Sequence, residues 1–208
     1  MIIQNVEKLW QLEDVNVKRE HVTTEEHRCE THFIDSVTNC NRRIQEKLPF
    51  KGDVCSLGNS RHIALTRFIA LENKLQKNPS LKTDYSQFLK EYEELGHMSV
   101  VQNVNLDSPY YFIPHHRVIK PGSTTTKLRV VFDASCRTSS QVSLNDLLMV
   151  GRQIKTEFIK TLLRFQGNRY ALTADVTKMY RQFMLHPDDR KYHLILWRYD
   201  KAQPNFDI

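Results

Sequence analysis

Residues 170–182 read YALTADVTKMYRQ. Tyr170, Ala171, Leu172, Thr173 and Ala174 make an apolar, β-prone run that ends on a carboxylate, Asp175. Five residues later an aromatic, Tyr180, stands in a turn rich in cations. A carboxylate at the end of a buried strand is costly unless a metal ion or a basic side chain compensates it. The local alternative is that Asp175 caps a short following helix, accepting hydrogen bonds from the amides of Val176 to Lys178. These residues leave both readings open, and they leave open whether the Tyr180 ring packs in a core or meets a ligand.

On either side of this run the pattern alternates between periods. Tyr110–Ile119 and Lys127–Asp133 are rich in β-branched and aromatic residues and read as two strands, joined by a Pro-Gly-Ser-Thr loop over Lys120–Thr126. A short helical piece after Ser143 and a helix over Glu157–Phe165, stopped by Gly167 and Asn168, precede the run. Tyr192–Tyr199 reads as a further strand.

Upstream the period is helical. Thr23 followed by Glu26 matches a capping box, and Cys29, Phe33, Val37, Cys40 and Ile44 then fall on one stripe, which predicts a helix over residues 24–46 packed on a core. After a loop punctuated by Pro49, Gly52 and Gly58, Ser60 offers an N-cap for a helix with Ala64, Leu65, Phe68, Leu71 and Leu75 on one face, ended by Pro79. A third helix runs over Leu81–Leu95, with Gly96 closing it. Trp10–Val17 fits a short strand or an extended tether. The succession of helices and strands predicts an α+β protein.

The 208 residues suffice for one domain with a real core, or one and a half, and 40% hydrophobic against 26% charged residues is a globular balance. No run approaches the ~20 apolar residues of a membrane span. The start, MIIQNVEKLWQLEDV, has neither the basic nor the apolar region of a signal peptide, so an intracellular, non-secreted protein without a membrane partner is expected. Cys29, Cys40, Cys55 and Cys136 form no CxxC pair, which fits a reducing compartment. Cys29 and His32 lack a second half at zinc-finger spacing. His115 and His116, adjacent on a strand, point to opposite faces and do not share one ion. Charge is uneven: residues 1–100 carry 14 Lys and Arg against 15 Asp and Glu, whereas residues 101–208 carry 16 against 9. The basic second half suits contact with phosphates.

Four blocks carry a resemblance: FIPHHRVIKPGSTTTKLRVVFDAS (Phe112–Ser135), SLNDLLMVG (Ser143–Gly151), LTADVTKMYRQ (Leu172–Gln182) and HPDDRKYHLILW (His186–Trp197). In this order and spacing they resemble the reverse transcriptase of retrotransposon polyproteins of the BEL/Pao type. The resemblance implies a helical leader over residues 1–79. Residues 80–208 would then be the fingers and the start of the palm of a right-hand polymerase. It implies RNA-directed DNA synthesis from dNTPs on an RNA or DNA template-primer, by nucleotidyl transfer with Mg2+. The remainder of a polyprotein would be a partner, and the cytoplasm, in virus-like particles, the setting.

Nucleotidyl transfer places two divalent ions on the attacking and leaving oxygens. By the resemblance, Asp175 is the first metal-binding aspartate and the Val176 carbonyl a second metal contact. The amides of Lys178 and Met179 hold the phosphate tail. Tyr180 takes the place of the aromatic gate that excludes a ribose 2′ hydroxyl. Arg129 matches the fingers arginine that grips the triphosphate, since a planar guanidinium binds phosphate oxygens bidentately. Lys120, ahead of Lys127, corresponds to a second phosphate contact. Asp188 and Asp189 lie in a turn and have a structural role. The family's downstream Tyr-x-Asp-Asp tetrapeptide is absent from the sequence, so the polypeptide alone is expected not to polymerise DNA. The alternative is a non-enzymatic, nucleic-acid-binding remnant of a transposable element.

Overall fold

A computed structural model describes residues 22–40, 43–101, 106–119, 122, 128–152, 158–170, 172–174, 176, 179–201 and 206–207. The expected strand or tether at Trp10–Val17 lies outside them. Helices and strands are mixed along the chain, an α+β arrangement.

The first helix, α1 (Thr24–Ser36), starts where the capping box predicts: Glu26 N donates to Thr23 Oγ1 at 3.2 Å and Thr23 N to Glu26 Oε2 at 2.7 Å. It stops ten residues short of the expected end. Val37 turns the backbone to extended dihedrals, and β1 (Thr38–Cys40) and β2 (Arg43–Glu46) follow as an antiparallel pair. β2 also pairs in parallel with β5 (Phe183–Leu185). The apolar stripe is no core stripe either, because α1 has no buried residue and Phe33 and Ile34 are exposed. A helix face gains its stability from burial, and β-branched Val37 and Thr38 favour the extended chain where that face is not buried.

Two successive helices supply one wall of the core. α2 (Arg61–Gln76) buries Ala64, Phe68, Leu71 and Leu75; α3 (Pro79–Glu94) buries Leu81, Tyr85 and Leu89. Asn78 caps α3 through its Oδ1, 3.2 Å from Leu81 N, and Pro79 occupies the first turn, where no amide is needed. Gly96 ends α3 at φ +67, a conformation that suits glycine. Ser60 stands at the expected N-cap position of α2, but its side chain makes no capping bond. Asn59 Oδ1 takes the Arg61 amide at 2.9 Å, which frees Ser60 Oγ to accept from the buried Phe112 amide at 2.9 Å.

The predicted hairpin is present as β3 (His115–Ile119) and β4 (Leu128–Phe132), antiparallel and in register from His115 opposite Phe132 to Ile119 opposite Leu128. Leu128, Val130 and Phe132 pack towards the core, so Arg129 and Val131 face solvent. Just before β3, the Tyr111 amide donates to the Lys191 carbonyl at 3.0 Å and the Ile113 amide to the Leu194 carbonyl at 2.7 Å. The expected strand over Tyr192–Tyr199 contracts to β6 (Leu196–Trp197), paired with β7 (Phe206–Asp207), plus a parallel bridge from Leu194 to Phe112.

One apolar cluster joins these parts. Phe68, Leu71 and Leu75 of α2 lie with Tyr85 and Leu89 of α3, Phe112, Leu144 and Tyr192–Trp197, so the core runs continuously across residue 79. Trp197 stacks on Tyr85 with ring centroids 5.3 Å apart and meets Phe68 edge-on at 6.1 Å. The SLND block closes the layer. Ser143 and Asp146 cap each other reciprocally around a single 3-10 turn, and the Asn145 amide reaches the Ala134 carbonyl at 3.2 Å.

The run that was expected to be a buried palm strand is different. Tyr170, Leu172, Thr173, Ala174 and Val176 belong to no strand and are exposed, Leu172 at 93%. The helix before it, α4 (Phe158–Gln166), also leaves Leu162 and Leu163 exposed. β propensity becomes a strand when a neighbouring strand accepts its hydrogen bonds, and among the described residues none lies beside 172–174. Among the described residues no helix is long and apolar enough to cross a membrane.

Candidate nucleotide and nucleic-acid interface

Strand alternation in the β3–β4 hairpin sets the first surface. His116, Val118, Arg129 and Val131 share the face turned away from the core, and Arg129 sits directly opposite Val118. No carboxylate among the described residues pairs with Arg129, so its guanidinium keeps its donors for solvent or a ligand. Lys120 and Lys127 lie outside the described residues.

A 3-10 turn, Met179–Gln182, makes the second surface. Its anchor is Arg181, whose guanidinium lies 4.3 Å from the Tyr92 ring centroid and 5.8 Å from that of Phe88, with Glu91 Oε1 at 3.9 Å. Successive residues of such a turn point about 120° apart, and with Arg181 held inward the Tyr180 ring stands out at 84% exposure. Packing of Tyr180 in the core, one of the two sequence readings, does not occur. Met179 and Val176 are exposed beside it. Asp175 and Lys178 lie outside the described residues.

The two surfaces connect through aromatic contacts. Tyr92 lies between Arg181 and Phe132, whose ring centroid is 6.1 Å away on the core face of β4. Arg129 is three residues before Phe132 on the same strand. Among the described residues no direct contact joins Arg129 to Val176, Met179 or Tyr180.

Asp188 and Asp189 have the structural role expected of them. Asp189 Oδ2 accepts the Leu48 amide at 2.9 Å, and Asp188 lies 3.8 Å from Lys47 Nζ. The pair therefore ties the last 3-10 turn, Pro187–Tyr192, to the chain after β2.

Three polar arrangements were invisible to sequence reasoning. His115 is buried with both ring nitrogens engaged: Tyr85 Oη donates to Nδ1 at 2.6 Å, and Nε2 donates to the Leu196 carbonyl at 2.9 Å. Burial holds its pKa below the ordinary value, and the neutral ring matches this bonding. Arg67 on α2 reaches Asp133 at 2.7 Å. The Ser135 hydroxyl first, and Arg67 after it, hold the Asp133 carboxyl below the usual carboxylate range. Arg198 forks onto Glu72, Nε to Oε1 at 2.7 Å and Nη2 to Oε2 at 2.6 Å, and that bond lowers the pKa of Glu72. The bonded partners lie 30, 81, 66 and 126 positions apart in the chain, and only tertiary folding brings them together.

Among the described residues no group of three or more His, Cys, Asp or Glu is arranged to hold a metal ion. Comparison with protein-family models, with curated proteins and with solved structures gives no match.

Proposed function

We propose that the chain is the leader, fingers and start of the palm of a BEL/Pao-type reverse transcriptase. In this reading it takes part in RNA-directed DNA synthesis on an RNA or DNA template-primer. The observation that carries the reading is the order and spacing of four sequence blocks, Phe112–Ser135, Ser143–Gly151, Leu172–Gln182 and His186–Trp197. In its support, parts of three of these blocks, including Phe112, Leu144 and Leu194–Trp197, meet in one core, as segments selected together would.

Arg129, on the solvent face of the hairpin, binds the oxygens of an incoming triphosphate through its forked donors. Tyr180, projecting from the turn that Arg181 anchors, fills the space that a ribose 2′ hydroxyl needs. Asp175, with the Val176 carbonyl, is the metal-side contact, and the amides of Lys178 and Met179, with Lys120 or Lys127, hold the phosphate tail. Asp175 and the Val176 carbonyl would be the residues that hold a magnesium ion, which would supply charge neutralisation at the phosphates.

The test is saturation binding of a fluorescent dNTP in magnesium. Arg129→Ala is expected to weaken binding about tenfold, the loss of one charge-assisted contact. Tyr180→Ala is expected to narrow the preference for dNTP over rNTP. Unchanged affinity in Arg129→Ala together with unchanged sugar preference in Tyr180→Ala would overturn the reading.

The 16 basic against 9 acidic residues of 101–208 favour a second reading, a nucleic-acid-binding remnant without catalysis. It expects oligonucleotide affinity that falls steeply with salt and no magnesium-dependent dNTP binding.

A further inference from the structure

A groove of about 390 Å³ runs between α2 and β3 and shares only His116 with the surfaces described above. Arg67, Ala70, Leu71 and Lys74 line it from α2 at helical spacings of three, four and seven, so they share one face of the helix. Pro114, His115, His116 and Arg117 line it from the strand side. No acidic residue is in the lining.

The two cations on α2 are two turns apart, a rise of about 10 Å, and Arg117 faces them across the groove. Asp133 takes Nη1 of Arg67 at 2.7 Å, which orients that guanidinium and leaves its other donors open. Among the described residues no carboxylate pairs with Lys74 or Arg117. His115 contributes only wall, since both of its ring nitrogens are engaged. Ala70, Leu71 and Pro114 make the rest of the wall apolar. Cations along both sides of a partly apolar channel suit a polymer that alternates phosphate with sugar. The volume lies at the small end of ligand sites and has room for one or two nucleotides.

We propose that this groove seats the sugar-phosphate backbone of a single-stranded polynucleotide. Arg67, Lys74 and Arg117 meet its phosphates, and the sugars lie against Ala70, Leu71 and Pro114. The proposal rests on the nucleic-acid reading above for the class of polymer. It adds a contact made by α2, a helix in the segment that sequence analysis set aside as a leader.

Fluorescence anisotropy of labelled single-stranded oligothymidylate with the full chain tests it. Lys74→Glu with Arg117→Glu is compared with Lys51→Glu with Lys90→Glu, the same charge change outside the groove, where Lys51 faces Glu25 and Lys90 faces Glu94. The groove pair is expected to bind about tenfold more weakly at low salt, with a salt slope shallower by about 1.4, roughly 0.7 for each cation lost. The control pair is expected to lose only a small part of this. Equal loss in both pairs overturns the groove and leaves the polymerase reading standing, as does displacement of the oligonucleotide by polyglutamate at equal charge. A measurement on the unaltered chain covers the case of a variant that does not fold. Lys74 is expected to be shielded from acetylation in the saturated complex, and full reactivity there overturns the proposal.

Discussion

Tyr85 Oη donates a 2.6 Å hydrogen bond to His115 Nδ1, joining the middle of α3 to the first residue of β3. The same imidazole donates from Nε2 to the Leu196 carbonyl, so one buried side chain bonds three segments of the core together. Both bonds require the neutral ring in one tautomer, and burial keeps its pKa below the ordinary value of 6.5.

Stability should therefore depend on pH in a defined window. The unfolded chain takes up a proton on His115 near pH 6.5, while the folded chain resists until a lower pH. The contribution of the neutral ring is complete above about 6.5 and declines as pH falls towards the lowered value. Thermal midpoints measured from pH 7.5 to 5 should fall, and His115→Gln should flatten that slope while lowering the midpoint at pH 7.5. The lowered carboxyls of Glu72 and Asp133 act below their ordinary values of 4.5 and 3.8, whereas His193, also held down by burial, acts in the same window and leaves a residual slope in His115→Gln.

Tyr85→Phe keeps the stack on Trp197 and removes only the donor to Nδ1. A buried acceptor left without its partner costs about 1–3 kcal/mol. Urea denaturation should show that loss with an unchanged m-value, and Tyr85→Leu should cost more because the stack goes as well.

Gly58 is sterically required. A Cβ there would lie 2.5 Å from Ser139 Oγ and 2.6 Å from the Ser140 backbone nitrogen, and the second of these cannot rotate away. Gly58 N also donates to Ser140 Oγ at 3.0 Å. Gly58→Ala is expected to destabilise the chain by about 1–3 kcal/mol through overpacking. Gly122 has no atom within 4 Å of its added Cβ and serves as the control, with a change close to zero in the same denaturation.

Arg181 and Tyr180 are neighbours with opposite expectations. Arg181→Ala removes the cation over Tyr92 and should cost about 1 kcal/mol. Tyr180→Ala, at an exposed ring, should fall within about 0.5 kcal/mol of the parent. A change in sugar preference from Tyr180→Ala without a change in the thermal midpoint would then belong to the ring itself.

The bidentate pair of Arg198 and Glu72 buries both side chains to 14% and 13% exposure. Removing either partner leaves the other without its charge-assisted bonds, and Glu72→Gln should cost about 2 kcal/mol. A double-mutant cycle with Arg198→Met should return most of that as coupling energy.

Much was legible from local chemistry alone. The Thr23–Glu26 capping box, the apolar faces of α2 and α3, the turn at Gly96 and the β3–β4 hairpin each depend on residues a few positions apart, which the chain displays directly. The solvent-facing place of Arg129 follows from strand alternation, once the strand is read. Period and capping determine these features because their partners are near in sequence.

What lay beyond reach was decided by partners far away. The stripe from Cys29 to Ile44 has helical spacing, yet it splits: β5, some 140 residues on, pairs with β2, and no residue of α1 is buried. Residues 172–174 have strand composition, yet among the described residues no strand lies beside them. Ser60 holds the N-cap position of α2, yet its hydroxyl serves the Phe112 amide while Asn59 Oδ1 takes the Arg61 amide. The sequence determined which segments prefer which conformation. Tertiary structure alone decided which faces found a partner, since burial and hydrogen-bond pairing are properties of two surfaces brought together.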